Sequence, residues 1–167
     1  LAAEIAKRNE ESGAGAISVA VPRLFALPEE DIFRFLATVL EATSLPVLIQ
    51  DFNPAGATVS PSFVGRLNRE YPQFRYLKLE EPLMAPKLRQ IQEETEGGVE
   101  VLEGWGGLYL VEGILSGACG SMPGLGMAEL LQEVFSLAKV GDFKTALDIF
   151  SDVLPHIVFS LQNLELY

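Results

Sequence analysis

At 167 residues, 49% of them hydrophobic, the chain is long enough to bury one sizeable core, and residues 1–167 read as a single domain. A formal net charge of -11, uninterrupted by any basic cluster, argues against nucleic acid and against a membrane surface as partners. A lone cysteine, Cys119, and a lone histidine, His156, exclude an internal disulfide and a Cys/His metal site, so no metal is expected and the setting is a reducing, cytoplasmic one.

In chain order, Leu1–Ser12 has the spacing of an amphipathic helix and lacks the basic-then-apolar order of a signal peptide. With no initiator methionine, it reads as the continuation of something longer. The run Ala16–Val21, ended by Pro22, predicts a strand. A helix follows over Pro28–Thr43, whose proline and acidic first turn suit a helix start. Pro46–Asp51 predicts the second strand. Ser60 reads as an N-cap with Pro61 at the first helical position, opening a helix that ends near Tyr71. The third strand lies in the run from Phe74 to Pro82. It is followed by a helix over Ala85–Glu94, a strand over Val99–Glu103, a strand over Gly117–Met122, and helices over Met127–Val140 and from Asp142 to about Leu164. The stretch from Gly113 to Ala128 carries no charge, but five glycines and a proline interrupt it, which is incompatible with a membrane span.

Short, near-continuously apolar strands alternating with helices predict an α/β fold with a parallel sheet. Alternation alone does not separate a barrel from an open doubly wound sheet. No strand is followed by a Gly-x-Gly-x-x-Gly or Walker loop, although Gly104-Trp105-Gly106-Gly107 is glycine-rich. Polar residues concentrate at strand ends: Arg23, Gln50, Asp51, Lys78, Glu80, Glu103, Gly104 and Ser121. That distribution favours the mouth of a TIM (β/α)8 barrel.

Within the third strand, alternation places Tyr76, Lys78 and Glu80 on one face and Leu77 and Leu79 on the other. A lysine in such a strand has two accounts. On an exposed edge it is a gatekeeper with its ammonium in water. Buried, its charged form is disfavoured, and a neutral amine can attack a carbonyl carbon to form a Schiff base.

Four stretches carry a resemblance to a known family: Gly13-Ala14-Gly15-Ala16 into Val19-Ala20-Val21-Pro22; Leu45-Pro46-Val47-Leu48-Ile49-Gln50-Asp51 with Pro54; Tyr76-Leu77-Lys78-Leu79-Glu80; and Gly117-Ala118-Cys119-Gly120-Ser121. Together, in this order, they resemble the class I aldolase superfamily of dihydrodipicolinate synthase and N-acetylneuraminate lyase. The resemblance implies a TIM barrel of which this chain supplies strands four to eight and the closing helices, hence a partial barrel from a longer protein. The small-hydroxyl loop that binds the keto-acid carboxylate in the family would lie outside these residues.

Lys78 matches the family's Schiff-base lysine, which makes catalysis the expected role of that residue. The family's catalytic tyrosine falls at Gln50 and its relay tyrosine within Arg23-Leu24-Phe25, so both phenols are absent. The arginine that follows the strand-five proline appears as Ala55. These departures argue against dihydrodipicolinate synthase proper. Pro22-Arg23, Gln50-Asp51 and Lys78-Leu79-Glu80 are instead similar to the branch acting on 2-keto-3-deoxy sugar acids as dehydratases or aldolases. The resemblance therefore implies a lysine Schiff-base lyase without a cofactor, acting on a small 2-keto acid and assembled as a homo-oligomer, a dimer or tetramer.

Glu80 shares the lysine's face and either moves protons and tunes the amine or forms a structural ion pair with it. Gln50 points inward by parity and suits a hydrogen bond to a substrate hydroxyl, but it cannot be a base. Asp51 has the opposite parity; it stands among the substrate-binding candidates, although bracing a neighbouring loop suits it better. Arg23 either pairs with a sugar-acid carboxylate or is a surface arginine. Gly104, Ser121 and Met122 are expected to line the pocket, and Trp105 to wall it or simply to pack. His156 is expected to be structural or exposed, and Cys119 a small buried core residue. Two other readings stay open. One is an inactive family member that binds a keto acid or a partner, against which the cost of a buried amine argues. The other is an assembly module built on the last two helices.

Overall fold

The computed structural model describes residues 1–23, 26–53 and 56–162. The Leu24-Phe25, Pro54-Ala55 and Leu164 positions invoked above lie outside the described residues. Apolar strands too short to stand alone alternate with amphipathic helices: α1 (Ala2–Glu11), β1 (Ile17–Ala20), α2 (Glu29–Leu40), β2 (Val47–Phe52), α3 (Pro61–Glu70), β3 (Phe74–Glu80), α4 (Ala85–Glu94), β4 (Glu100–Glu103), α5 (Leu110–Leu115), β5 (Gly120–Ser121), α6 (Ala128–Lys139) and α7 (Phe143–Ser160). Helix starts follow their local chemistry. Ser60 Oγ accepts from Phe63 N at 3.2 Å with Pro61 opening α3, and Asp142 caps α7 by accepting from Thr145 N at 3.2 Å. Pro28 sits just outside α2 at its N-cap, with Glu29, Glu30 and Asp31 filling the first turn.

The five strands are all parallel and lie side by side in chain order, β1-β2-β3-β4-β5. This order settles what alternation left open. A doubly wound sheet reverses its strand order at a switch point, whereas a barrel adds each strand beside the last. The molecule is a partial α/β barrel. Burial along β2 alternates strictly: Val47, Ile49 and Asp51 are buried, while Leu48, Gln50 and Phe52 are half-buried. The buried side packs with helices in a core that includes Ile32, Leu36, Leu40, Val64, Leu67, Leu88 and Ile91. A second core joins α5, α6 and α7 through Leu110, Leu131, Val134, Phe150, Val153 and Ile157.

Two elements depart from the sequence expectation. The strand expected over Gly117–Met122 shrinks to Gly120–Ser121, because its first residues serve a helix that the apolar, glycine-broken sequence concealed. Gly117, at φ +97°, and Ala118 close α5: Gly117 N donates to Ile114 O at 3.1 Å and Ala118 N to Gly113 O at 2.8 Å. A turn of 3-10 helix at Leu125–Met127 then precedes α6. Cys119, beside the short edge strand, is half-buried rather than a core residue, and burial, with Glu100 nearby, pushes its thiol up to about 11. His156 is exposed.

The loops beyond β2 and β3 are clamped together. Thr58 Oγ1 donates to Glu81 Oε2 at 2.5 Å, and Lys87 Nζ, from α4, reaches the same carboxylate oxygen at 2.9 Å. Burial alone would raise the Glu81 pKa, but the hydrogen bonds from Thr58 and Lys87, with the Lys87 charge, outweigh it and leave the carboxyl below its ordinary 4.5. Protonation therefore favours the unfolded chain. The clamp stabilises the fold above pH 4.5, and its contribution fades as pH falls through the lower folded value. In urea unfolding, the stability difference between the protein and Glu81→Gln is expected to narrow as pH falls from neutral to below 4.5; a difference that does not vary with pH would show that charge plays no part in the clamp.

Candidate active site

Register decides which side chains meet. Ala20, Gln50, Lys78, Leu102 and Gly120 are aligned across the five strands as one layer on the half-buried face. Asp51, Leu79, Glu103 and Ser121 form the corresponding layer on the opposite, helix-packed face. A cleft of about 230 Å³ opens over the first layer, lined by Gln50, Phe52, Lys78, Glu80, Gly104, Trp105, Gly106, Met122 and Leu161.

At its centre Lys78 Nζ lies 2.5 Å from Glu80 Oε1, and both side chains are largely shielded, at 13% and 6% exposure. Gln50 Nε2 donates to the same Glu80 oxygen at 3.1 Å. Glu80 is thus held from two strands, and one of the two N–H donors of the Gln50 amide is committed to it. Gly104 makes this approach possible. A Cβ there would come within 2.3 Å of Glu80 Cγ, 2.8 Å of Lys78 Cγ and 3.1 Å of Leu79 O.

Three sequence candidates stand outside the cleft. Asp51, fully buried, accepts from Arg23 through Nε at 3.0 Å and Nη2 at 2.8 Å, and from Val59 N at 2.6 Å. It braces the loop after β2. Arg23 is neither a surface arginine nor directed at a ligand carboxylate, because its guanidinium is committed to Asp51. Ser121 shares the Glu103 layer and donates to Glu103 Oε2 at 2.6 Å, so its hydroxyl faces away from the cleft. Lys78, Glu80, Gln50, Gly104 and Met122 are brought together as expected of neighbours, and Trp105 joins them as a wall.

Sequence reasoning passed over Phe52 by ending β2 one residue early; the same two-residue period that turns Gln50 inward turns Phe52 inward as well. Leu161 reaches the cleft only through the fold of α7. The weight of Glu103 was also hidden. Its carboxylate, without solvent exposure, accepts from Trp105 N and Gly107 N at 2.8 Å each, from Tyr109 N at 3.5 Å and from Ser121. Burial raises its pKa, and these hydrogen bonds act in the opposite sense. Glu103 thereby fixes the Trp105–Gly107 segment that forms one side of the cleft. Among the described residues, no group of three His, Cys, Asp or Glu is placed to hold a metal ion, and no helix is long and apolar enough to cross a membrane.

Comparison with known proteins places the chain in a family. The profile of the Dihydrodipicolinate synthetase family matches residues 1–164. L-2-keto-3-deoxyarabonate dehydratase of Azospirillum brasilense is 31% identical over 157 residues, covering 90% of this chain and 50% of its own length. The 4-hydroxy-tetrahydrodipicolinate synthase of Chlorobium limicola is 30% identical over 129 residues, 73% of this chain and 43% of its own. In fold, the chain matches a prophage protein of the dihydrodipicolinic acid synthase family from E. coli K12, solved with pyruvate, at TM-score 0.83 and 20% identity, over 98% of this chain and 56% of that one. The chain spans about half the length of the curated relatives it matches.

The tight approach at Gly104 is directly testable. Gly104→Ala must push the Lys78 and Glu80 stems apart or shift β3, and is expected to cost about 1–3 kcal/mol in urea unfolding. Unchanged stability would show that the two strands separate freely at this level.

Proposed function

The chain belongs to the dihydrodipicolinate synthetase family, and on that premise we propose that it supplies the reactive half of a Schiff-base lyase acting on a 2-keto acid, with Lys78 as nucleophile. The observation that carries this reading is the shielded contact of 2.5 Å between Lys78 Nζ and Glu80 Oε1 at the floor of the cleft. A carboxylate at that distance is placed to take a proton from the lysine and release the amine for attack. Nζ bonds to C2 of the keto acid and the C2 oxygen leaves as water. The iminium then draws electrons from C3. Loss of a C3 proton gives an enamine that expels the C4 hydroxyl as water. In the carbon–carbon version, the C4 hydroxyl loses its proton, the C3–C4 bond breaks and an enamine remains. Hydrolysis of the carbon–nitrogen bond returns Lys78.

The sugar-acid branch suits the residues better than the synthase of lysine biosynthesis. Gln50 stands where a phenol would be expected, and its amide steadies Glu80 rather than relaying a proton. Similarity to the Azospirillum dehydratase over 90% of this chain supports a 2-keto-3-deoxy sugar acid as substrate. Exposed Leu130, Leu147, Val158 and Phe159 on α6 and α7 support assembly of the protein as a homo-oligomer.

Borohydride reduction in the presence of pyruvate or of a 2-keto-3-deoxy sugar acid, followed by peptide mass spectrometry, tests the assignment on the full-length protein. A reduced adduct is expected on Lys78 and is expected to vanish in Lys78→Ala. A folded protein that yields no adduct with either acid would leave binding without turnover, or assembly, as its role.

A further inference from the structure

Resting on the Schiff-base reading, we propose that Glu81 and Lys87, with Thr58 between them, are positioning residues for the reaction: they hold the end of β3 so that the Glu80 carboxylate stays on Lys78. The sheet itself leaves Glu80 in need of such support. Lys78 has a strand neighbour on each side, Gln50 of β2 and Leu102 of β4. The register between β3 and β4 ends one residue later, at Leu79 with Glu103, where Gly104 N donates to Leu79 O at 3.0 Å. Glu80 is aligned with β2 alone, opposite Phe52. Beyond it, Pro82 has no N–H to give, and Leu83, 78% exposed, stands in the left-handed region at φ +53°. A leucine keeps that conformation only where its surroundings impose it.

Those surroundings are Met84, fully buried at the N-cap of α4, and the side chain of Glu81. Glu81 Oε2 accepts from Thr58 Oγ1 at 2.5 Å and from Lys87 Nζ at 2.9 Å, and Lys87 Nζ also donates to Thr58 Oγ1 at 2.5 Å. The three side chains close a ring that joins the loop after β2, the loop after β3 and α4. Thr58 is buried and the two charged groups are largely shielded. The ring is backed in turn, because the next residue, Val59, donates its N–H to Asp51 at 2.6 Å and Asp51 holds Arg23. Glu80 and Glu81 share one stretch of backbone, so a tether on Glu81 fixes the point from which the Glu80 side chain leaves it. Gln50 then orients the Glu80 carboxylate, while the ring places the backbone that carries it.

Cyanoborohydride trapping of pyruvate on Lys78 of the full-length protein, timed by peptide mass spectrometry, separates positioning from simple bracing. The reagent delivers hydride to C2 of the iminium and leaves a stable secondary amine. Glu81→Gln and Lys87→Met are each expected to slow trapping at saturating pyruvate roughly tenfold or more and to leave the half-saturating pyruvate concentration unchanged. Lys87→Arg, which keeps a cation for Glu81, is expected to retain most of the rate. Thr58→Val removes only the hydroxyl of the ring and carries the same expectation of slowing if the charge variants fold poorly. In Glu80→Gln, whose slower trapping is followed for longer, adding Glu81→Gln is expected to cost nothing further, because the ring acts through the Glu80 carboxylate. An equal loss with and without that carboxylate would reduce the ring to a brace and overturn the proposal. So would unchanged rates in Glu81→Gln, Lys87→Met and Thr58→Val, or a loss that falls on the half-saturating concentration instead of the rate. An equal slowing in Glu10→Gln, which breaks bonds to Thr43 and Ser44 at the opposite, N-terminal end of β2, would also overturn it by showing that trapping only follows stability. Absence of any adduct in the unmutated protein would overturn the Schiff-base reading itself, and is seen before any variant is made.

Discussion

Carboxylates removed from water at the C-terminal ends of the strands set the geometry of everything above the sheet. Asp51 and Glu103 are fully buried on the helix-packed face, and neither is tolerable there without donors. Asp51 finds them in Arg23 and Val59, Glu103 in three backbone N–H groups and Ser121. Removing one partner of a buried pair costs about 3–5 kcal/mol, against about 1.5–3 kcal/mol for fully burying a leucine side chain. Polar satisfaction therefore constrains the loops after β1, β2 and β4 at least as firmly as apolar packing constrains the helices.

The cleft is a consequence of that restraint. With the outer layer tied down, the inner layer of Ala20, Gln50, Lys78, Leu102 and Gly120 presents one amine among small or uncharged neighbours. Glu80, one step further along β3, meets that amine, and Gln50 from β2 fixes the carboxylate in turn. Gly104 leaves the room that both side chains occupy. The lysine-lined cleft and the buried carboxylates thus lie on opposite faces of the same strands, and the two-residue period of the strands keeps them apart.

The elements were legible where local chemistry is strong. Ser60 with Pro61 marked the start of α3, α4 begins and ends where its periodicity does, the alternation about Lys78 placed Glu80 on its face, and that along β2 placed Asp51 opposite Gln50. They were illegible where a residue serves two masters. Gly117 and Ala118 look like the start of a strand, yet their N–H groups satisfy the last carbonyls of α5, so the strand begins later. Arg23 and Ser121 carry groups that suit a ligand, and the type of residue gives no sign that a buried carboxylate has already claimed them.

By itself the sequence determined the α/β class and the parity of the strand residues, because these depend on the alternation of strands with helices and on the spacing within each strand. Tertiary structure decided which polar groups remain available to a ligand. The strand order that makes the sheet part of a barrel, the partners of Asp51 and Glu103, and the arrival of Leu161 beside Trp105 all join residues far apart in the chain. Desolvation and hydrogen-bond satisfaction operate on such neighbours in space, and no periodicity along the chain records them.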